Sequence, residues 1–496
     1  MRVPANSTHP DYDANAAAWL RARDVIAGED AVKAAGEKFL PKLDAQTTDE
    51  YRAYKTRASF FNAAARTAEG FVGLLFRRDP AVRLPEKTSG VGVALAASAD
   101  DLDLLGTSLS AYAKNVIEEV VSVGRCGTLV DWENEGHQRA YAALYTAEQI
   151  LNWRTARVNG RNVPVLIVLR ESVESVGDDG FDTQAVDQLR VLKLQADGDA
   201  WKCVVELWQQ KQSQKSRRKT EWVLVDTRVP LRLGKPLPLI PFVFHGPRHS
   251  LPLVDKLPLA DIIAVNLDHY RLNADYKHGL HFTALPTAWV SGFDKGNELR
   301  IGSSTAWVAE TAGATAGFLE FTGQGLTTFE RAMDRAERLM AVLGTRMLAE
   351  QKRVGESADA IAMRQSGENS VLGALAASVS DSLTHVLRWI HWWHSTEEKP
   401  DLVSTEQVLV SLNTDFSLQG MDSNAITALV SAWQARAISQ DTMLDCLRKS
   451  EVIPDGRTNA EEKALAGEGV QILEGGSEAA LHNPMKQRFT AETQRR

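Results

Sequence analysis

The spacing of apolar and polar positions changes twice along the chain. From Asp11 to about Val123 it is helical: Phe60, Ala64, Thr67, Phe71 and Leu74 share one face of a helix predicted over residues 51–76. Thr47, with Glu50 three residues on, offers a capping box at its start, and Asp79-Pro80 ends it. Leu109, Ala113, Val116 and Val120 repeat the pattern, with Gly124 as a stop. From Gly127 to Phe244 the period becomes that of strands, in the runs TLVDW, RAYAALYT, VPVLIVL, QLRVLKL, WKCVVELW, EWVLVDT and LIPFVF. Asp197-Gly198 between two of them predicts a hairpin.

Two helix patterns then bracket a short Gly/Thr-rich insert. The first runs from Leu259 to a stop at Leu285-Pro286. Beyond two turns it is polar nearly all round: Asn266, Tyr270, Asn273 and Lys277 recur at helical spacing, and Asp261, Asp268 and Asp275 lie elsewhere on the cylinder. With no wide apolar stripe it is expected to bridge, or to pack against copies of itself. The second, residues 326–351, sets Phe329, Met333, Ala336, Met340, Leu343 and Met347 in one narrow seam beside Glu330, Asp334, Glu337 and Arg331, Arg335, Arg338. A greasy seam flanked by opposite charges predicts packing between neighbouring subunits. After Gly367 helix resumes, with Leu372, Leu375, Val379, Leu383, Val386, Ile390 and Trp393 on one face. A strand is expected at 408–416, and helices at 424–436 and 440–449 capped by Ser423 and Ser439. Pro454-Asp455-Gly456 turns the chain, and from about Gly467 weak periodicity predicts a mobile tail. No repeat at solenoid periods is present.

At this point the chain resembles the portal proteins, or head-to-tail connectors, of tailed bacteriophages. The likeness spans roughly residues 50–450 and is carried by EYRAYKTRASFFNAAARTAEGFVGLLFRRDP at 50–80, PLIPFVFHGP at 238–247 and YRLNADYKHGLHFTALPTAWVSG at 270–292. The order of elements matches as well: a strand, a stem helix, a small clip, a returning stem helix, a tunnel loop and a long helix. The resemblance implies an α+β, mainly helical fold with portal-like wing, stem, clip and crown, assembled as a ring around a central channel. On this chain it divides into a helical wing part (1–125), a β-rich wing part (126–246), first stem (247–285), clip (286–325), second stem (326–351), tunnel loop (352–367), long wing helix (368–396), C-terminal crown or wing (397–466) and tail (467–496).

The same resemblance implies a function and its residues. Portals are dodecameric rings at one capsid vertex of the virion, assembled in the host cytoplasm. They dock the terminase large subunit, pass double-stranded DNA without sequence preference, and meet major capsid, scaffolding, head-completion, adaptor and tail proteins. Carried onto this chain, the seam residues Phe329, Met333, Met340, Leu343 and Met347 would lie between subunits. Trp289, Lys295, Glu298, Arg300, Trp307 and Phe318 would belong to the clip, and Lys352, Arg353, Glu356, Ser357 and Arg364 to the tunnel loop facing DNA. The junction of residues 352–367 is also longer than the usual helix-to-helix loop, which sets a functional segment level with a plain connection as its reading.

Composition adds constraints. The 496 residues allow about three domains, and 44% hydrophobic content supports substantial cores. A net charge of −8 argues against gripping nucleic acid through a broad basic surface. Cys126, Cys203 and Cys446 are far apart, without a CxxC or a secretory signal, so neither disulfides nor structural zinc is expected, and a reduced, cytoplasmic protein is. No run reaches the roughly 18 apolar residues of a membrane span.

Motifs for chemistry are missing: there is no GxxxxGK[ST], HExxH, GxSxG or strand-following GxGxxG, so no cofactor and no enzymatic activity are expected. His245, His249, His269, His278 and His281 cluster in sequence, and His278 with His281 could share a metal, but no third ligand stands at diagnostic spacing, which favours polar packing. Asp261, Asp268 and Asp275 read as a solvated stripe. The run Lys211, Lys215, Arg217, Arg218, Lys219 reads as a hairpin tip, with phosphate contact as the sharper alternative. Trp389, Trp392 and Trp393 read as core or interface packing before base stacking. Two other classes fit the lack of motifs: a minor capsid or adaptor protein without a DNA channel, which would not need paired helices around an insert, and an enzyme acting on nucleic acid or on the cell wall, whose site would be assembled from distant residues.

Overall fold

The computed structural model describes residues 5–86, 89–134, 138–176, 183–198, 200–213, 216–284, 287–292, 307, 312–319, 325–348, 371–398, 400, 408–414, 416, 423–450, 452–453 and 457–465. The chain forms two compact units, Met1–Phe416 and Ser417–Arg496.

The first unit opens with α1 (Pro10–Ala27), α2 (Glu29–Ala34), α3 (Thr48–Arg57) and α4 (Ala63–Leu75), then β1 (Ala81–Arg83), α5 (Gly90–Asp100) and α6 (Leu109–Val123). The capping box of Thr47 and Glu50 starts α3 as the sequence predicts. The single helix expected over 51–76 is two, however, because Ala58 turns extended at ψ 142°. Gly124 closes α6 at φ 80°, a left-handed position natural to glycine. A Cβ there would stand 3.4 Å from Pro258, so the end of α6 seats the Pro-rich corner. The neighbouring Arg125 is buried with its guanidinium 4.0 Å from the Trp153 ring and 4.7 Å from Phe244, and it donates to Leu253 O at 3.0 Å. Burial lowers its pKa to about 10.

The strand region follows as β2 (Cys126–Trp132), β3 (Ala140–Thr146), β4 (Ile150–Val158), β5 (Arg161–Val176), β6 (Thr183–Asp197), β7 (Ala200–Ser213), β8 (Ser216–Arg228), β9 (Leu231–Arg232), β10 (Lys235–Pro236) and β11 (Phe242–His245). Strands β4 to β8 form an antiparallel five-stranded meander, and β11, β2 and β3 a three-stranded sheet. Gly198, at φ 63°, makes the predicted turn between β6 and β7. The sequence pattern misses β4 because its buried residues, Ile150, Leu151, Trp153 and Val158, do not alternate and are interrupted by the exposed run Arg154 to Arg157. Mixed helix and sheet, without a closed barrel among the described residues, is the fold class.

Then come α7 (Ala260–Ala284), β12 (Thr287–Ser291), β13 (Thr315–Leu319), α8 (Leu326–Leu348), α9 (Val371–His394) and β14 (Leu409–Ser411), which pairs with β1. Every apolar position predicted for the face of α9 is buried, and so are Ser378, Ser380, Ser382 and Thr384 on its other sides. Those hydroxyls are satisfied: Ser380 accepts from Leu412 N and Thr384 from Val410 N, each at 2.9 Å, and Ser378 donates to Gly246 O at 2.8 Å. Arg232 closes the C-terminal end of α9, donating to Glu397 O at 2.6 Å with its guanidinium 4.1 Å from the Trp392 ring. The second unit contains α10 (Ser423–Gln434) and α11 (Gln440–Lys449), near the predicted spans, around a small core of Met443, Leu444, Leu447 and Ile453. Ser439 caps α11, accepting from Thr442 N at 3.1 Å.

Candidate functional site

Helices α7 and α8 lie antiparallel: Gly279 meets Leu326, Tyr276 Oη donates to Glu330 at 2.7 Å, and His269 Nε2, earlier on α7, lies 3.2 Å from Glu337, further on along α8. With 25 residues at 1.5 Å each, α7 is roughly 37 Å long.

The expectation that α7 lacks a burial face and must bridge or meet copies of itself is overturned. Asn266, His269 and Tyr270 are buried within the chain, along with Ile262, Ile263, Leu267 and Ala274. The reason lies in the break between α3 and α4, whose backbone groups need partners. Asn266 accepts from Ala64 N at 3.0 Å and donates to Phe61 O at 2.7 Å. Asn273 accepts from Ser59 N at 2.9 Å, and Lys277 donates to Ser59 Oγ. A polar ladder on α7 thus completes a broken helix, and the unpaired backbone of one element makes the polarity of the other tolerable. Of the three acids read as a solvated stripe, Asp261 and Asp268 are exposed, but Asp275 accepts from Tyr54 Oη at 2.6 Å. Burial, then this carboxylate, drives the Tyr54 pKa upward.

The seam of α8 packs in part within the chain. Ala336 and Met340 are buried within the chain, Asn273 Nδ2 lies 3.9 Å from Met333 Sδ, and Phe329, Met333 and Leu343 are half-buried. The seam is occupied because α7 turns His269, Asn273 and Tyr276 toward it. The side chain of Met347 lies outside the described ones. What α8 leaves open is a different stripe, Arg331, Arg335 and Arg338 around Leu339 (43% exposed) and Val342 (44%). Sequence reasoning missed it, since those arginines read only as the solvated flank of the seam.

Between α7 and α8 the chain forms a hairpin in which Trp289 faces Gly317. A Cβ on Gly317 would come within 3.0 Å of the indole nitrogen, so glycine there lets the ring lie across the partner strand. Trp289 and Phe318 are about half exposed, and the Trp307 ring lies 6.4 Å from Phe318. The hairpin therefore presents aromatic surface. Lys295, Glu298 and Arg300 of the expected clip lie outside the described residues, as do Lys352, Arg353, Glu356, Ser357 and Arg364 of the expected tunnel loop.

The other candidates are dispersed. His245 is buried, with ring nitrogens 2.7 Å from Thr128 Oγ1 and 2.7 Å from Ser382 Oγ. His249 lies 3.7 Å from Asp255. His278 lies 3.3 Å from the Arg57 guanidinium, and burial followed by that cation lowers its pKa. It shares a cavity of about 450 Å³ with His281, Glu50 and Gln46. Among the described residues no group of three or more His, Cys, Asp and Glu is placed to hold a metal ion. Trp389, Trp392 and Trp393 are buried in the core. Lys211 lies on β7, and the run from Arg217 to Lys219 on β8, across the β7–β8 turn. No helix among the described residues is long and apolar enough to cross a membrane.

A family profile described as a domain of unknown function (DUF4055) matches residues 258–394, the stretch from α7 through α9. No curated protein matches the sequence. Among solved structures, similarity is found to the neck of a native GTA particle computed with C12 symmetry, at 9% identity and TM-score 0.34 over 77% of this chain and 88% of that one. The neck of an empty GTA particle computed with C6 symmetry gives 10% and 0.35 over 82% and 90%. The virion of a native gene transfer agent particle gives 11% and 0.35 over 86% and 99%.

Proposed function

We propose that the chain is the subunit of a portal-type ring, a structural component of a phage-like particle that conducts double-stranded DNA and docks a packaging motor and then tail or adaptor proteins. The observation that carries this reading is the antiparallel pair α7 and α8, anchored at one end in the core and joined at the other by a hairpin that presents Trp289 and Phe318. The element order of the resemblance, strand, helix, insert, helix, long helix, recurs as β11, α7, the β12–β13 hairpin, α8 and α9. In this reading the hairpin is the clip and meets the terminase large subunit and adaptors. Lys352, Arg353, Glu356, Ser357 and Arg364 line the channel, where mixed charge keeps phosphate contacts transient. A ring needs two different complementary faces on each subunit, closed by rotation. Negative-stain electron microscopy of the purified protein tests it. Rings with a central channel, twelvefold by the resemblance, are expected; a monodisperse monomer at all concentrations defeats the reading.

A further inference from the structure

Arginines inside the first unit are held in two ways. Arg23 meets Glu119 and Glu148, Arg139 meets Asp101, and Arg190 meets Glu171 and Asp131. Arg125 and Arg232 instead lie against tryptophan rings and donate to backbone carbonyls. Arg57, the last residue of α3, is held in neither way. Among the described residues it has no carboxylate partner, its guanidinium meets the His278 ring on α7 at 3.3 Å, and its Nε is buried without a hydrogen bond.

Arg57 lines the cavity of about 450 Å³ between α3, α7 and the loop before α3, together with Leu43, Gln46, Glu50, His278 and His281. A guanidinium can only donate, so His278 Nδ1 accepts from it and the ring proton sits on Nε2. That arrangement makes His278 a poor metal ligand, in keeping with the lack of any three-ligand group among the described residues. Gln46 is oriented to the same effect. Its Oε1 accepts from Leu43 N at 3.1 Å, which leaves Nε2 buried and without a partner. Two side chains of the lining thus hold surplus donors, and a buried donor left unmet costs free energy until an acceptor arrives.

One acceptor shares the cavity. Glu50 Oε2 is held by Thr47 N at 2.6 Å and Thr47 Oγ1 at 2.9 Å, while Oε1 has no hydrogen bond among the described residues. The bonds from Thr47, the backbone N–H first, lower the Glu50 pKa, so its carboxylate is charged and can only accept. A fitting ligand is therefore rich in acceptors yet brings one proton. A phosphate bearing a P–OH meets both demands: its other oxygens accept from Arg57 and Gln46, and its hydroxyl donates to Glu50. Sulfate and the phosphodiesters of DNA are also oxyanions, but with no proton they would set oxygen against the carboxylate. We infer that the cleft between α3 and α7 is a binding site for a protonated phosphate, free or as a terminal phosphomonoester, with Arg57 as the charged donor and Glu50 as the selecting acceptor. This site does not depend on the ring reading.

Equilibrium dialysis of the intact chain against radiolabelled inorganic phosphate tests it. At pH 6, where a phosphomonoester keeps its last proton about half the time, and at constant ionic strength, saturable binding with a Kd of about 1 mM is expected. Sulfate in about tenfold excess should displace little of the label. Arg57→Gln should weaken phosphate binding about tenfold or more. Glu50→Gln keeps the capping box, which glutamine also closes, but turns the acceptor into a donor, so sulfate should then compete as well as phosphate. Unchanged circular dichroism shows that each variant is folded. Displacement by a duplex with 5′-phosphate ends, and not by the same duplex with 5′-hydroxyl ends, names a nucleic-acid terminus as the source, and displacement by neither names free phosphate. No saturable binding, unchanged binding in folded Arg57→Gln, equal competition by sulfate in the unaltered chain, no gain of sulfate competition in Glu50→Gln, or displacement by both duplexes overturns the site.

Discussion

Helices α9 and α7 are both walled into the first unit, by opposite chemistry. Helix α9 carries Leu372, Leu375, Val379, Leu383, Val386 and Ile390, all with no measurable exposure, and ends in a tryptophan cluster. Helix α7 buries Asn266, His269 and Tyr270 and turns Asn273 and Lys277 to the broken helix of residues 48–75. The first is held by area removed from water, the second by hydrogen bonds that exist only because another segment gave up its own. Burial can therefore be read from sequence where it is apolar, but where it is polar it depends on a partner distant in the chain.

The largest break in this comparison is expected from α9. Trp392 is buried, stacks edge-on to Trp389, supports the Arg232 guanidinium and donates Nε1 to Glu397 O at 3.1 Å. Trp392→Ala should cost about 4 kcal/mol through lost transfer and cavity, read as a fall in the urea midpoint of the first unit. A cost below about 1 kcal/mol would mean the cluster repacks and is not a core element.

Asn266 is the matching test on α7. Asn266→Leu keeps the volume and gains apolar surface, so a helix held by area would tolerate it. Here it would strand Ala64 N–H and Phe61 C=O, and a loss of about 3 kcal/mol is expected. Equal stability of the leucine variant would show that α3 and α4 join into one helix without it, and that the sequence-level expectation for 51–76 describes a competing state.

That helix also marks how far the sequence is legible. Thr47 with Glu50, Gly124, the face of α9, the Asp197-Gly198 turn and the Ser439 cap are local signals, and each appears where the residues put it. The break at Ala58 has no glycine or proline to announce it, and its cause sits about 200 residues downstream in Asn266 and Asn273. On α8 a single period exposes a single stripe. The Met340 seam is real, but only the position of α7 shows that the seam is taken and that Leu339 and Val342 are what remains. The candidate site was thus located by pattern, while its outward face was decided by packing.

The smallest effect sharpens the contrast, because α9 is not purely apolar. Its Ser382 Oγ lies 2.7 Å from His245 Nδ1, Thr128 Oγ1 lies 2.7 Å from Nε2, and Tyr112 Oη lies 2.8 Å from Thr128. Burial pushes the His245 pKa down to about 3, from an ordinary value near 6.5. The ring is therefore neutral in the fold, donating from one nitrogen and accepting at the other. Above pH 6.5 both folded and unfolded chains hold it neutral, and its contribution to stability is fully present. As pH falls below 6.5 the unfolded chain takes up a proton that the folded chain refuses, so stability drops by up to about 1.4 kcal/mol per pH unit until pH nears 3. Between pH 6.5 and 5 the loss should be about 2 kcal/mol. His385, His391 and His394 are lowered by burial as well and slope the same way, so the comparison with His245→Asn isolates this one. The asparagine variant is expected to be less stable at pH 7 but to lose about 2 kcal/mol less on acidification to pH 5. Identical slopes in paired denaturation series would mean that His245 is protonated in the fold and that the Tyr112–Thr128–His245–Ser382 chain opens to water.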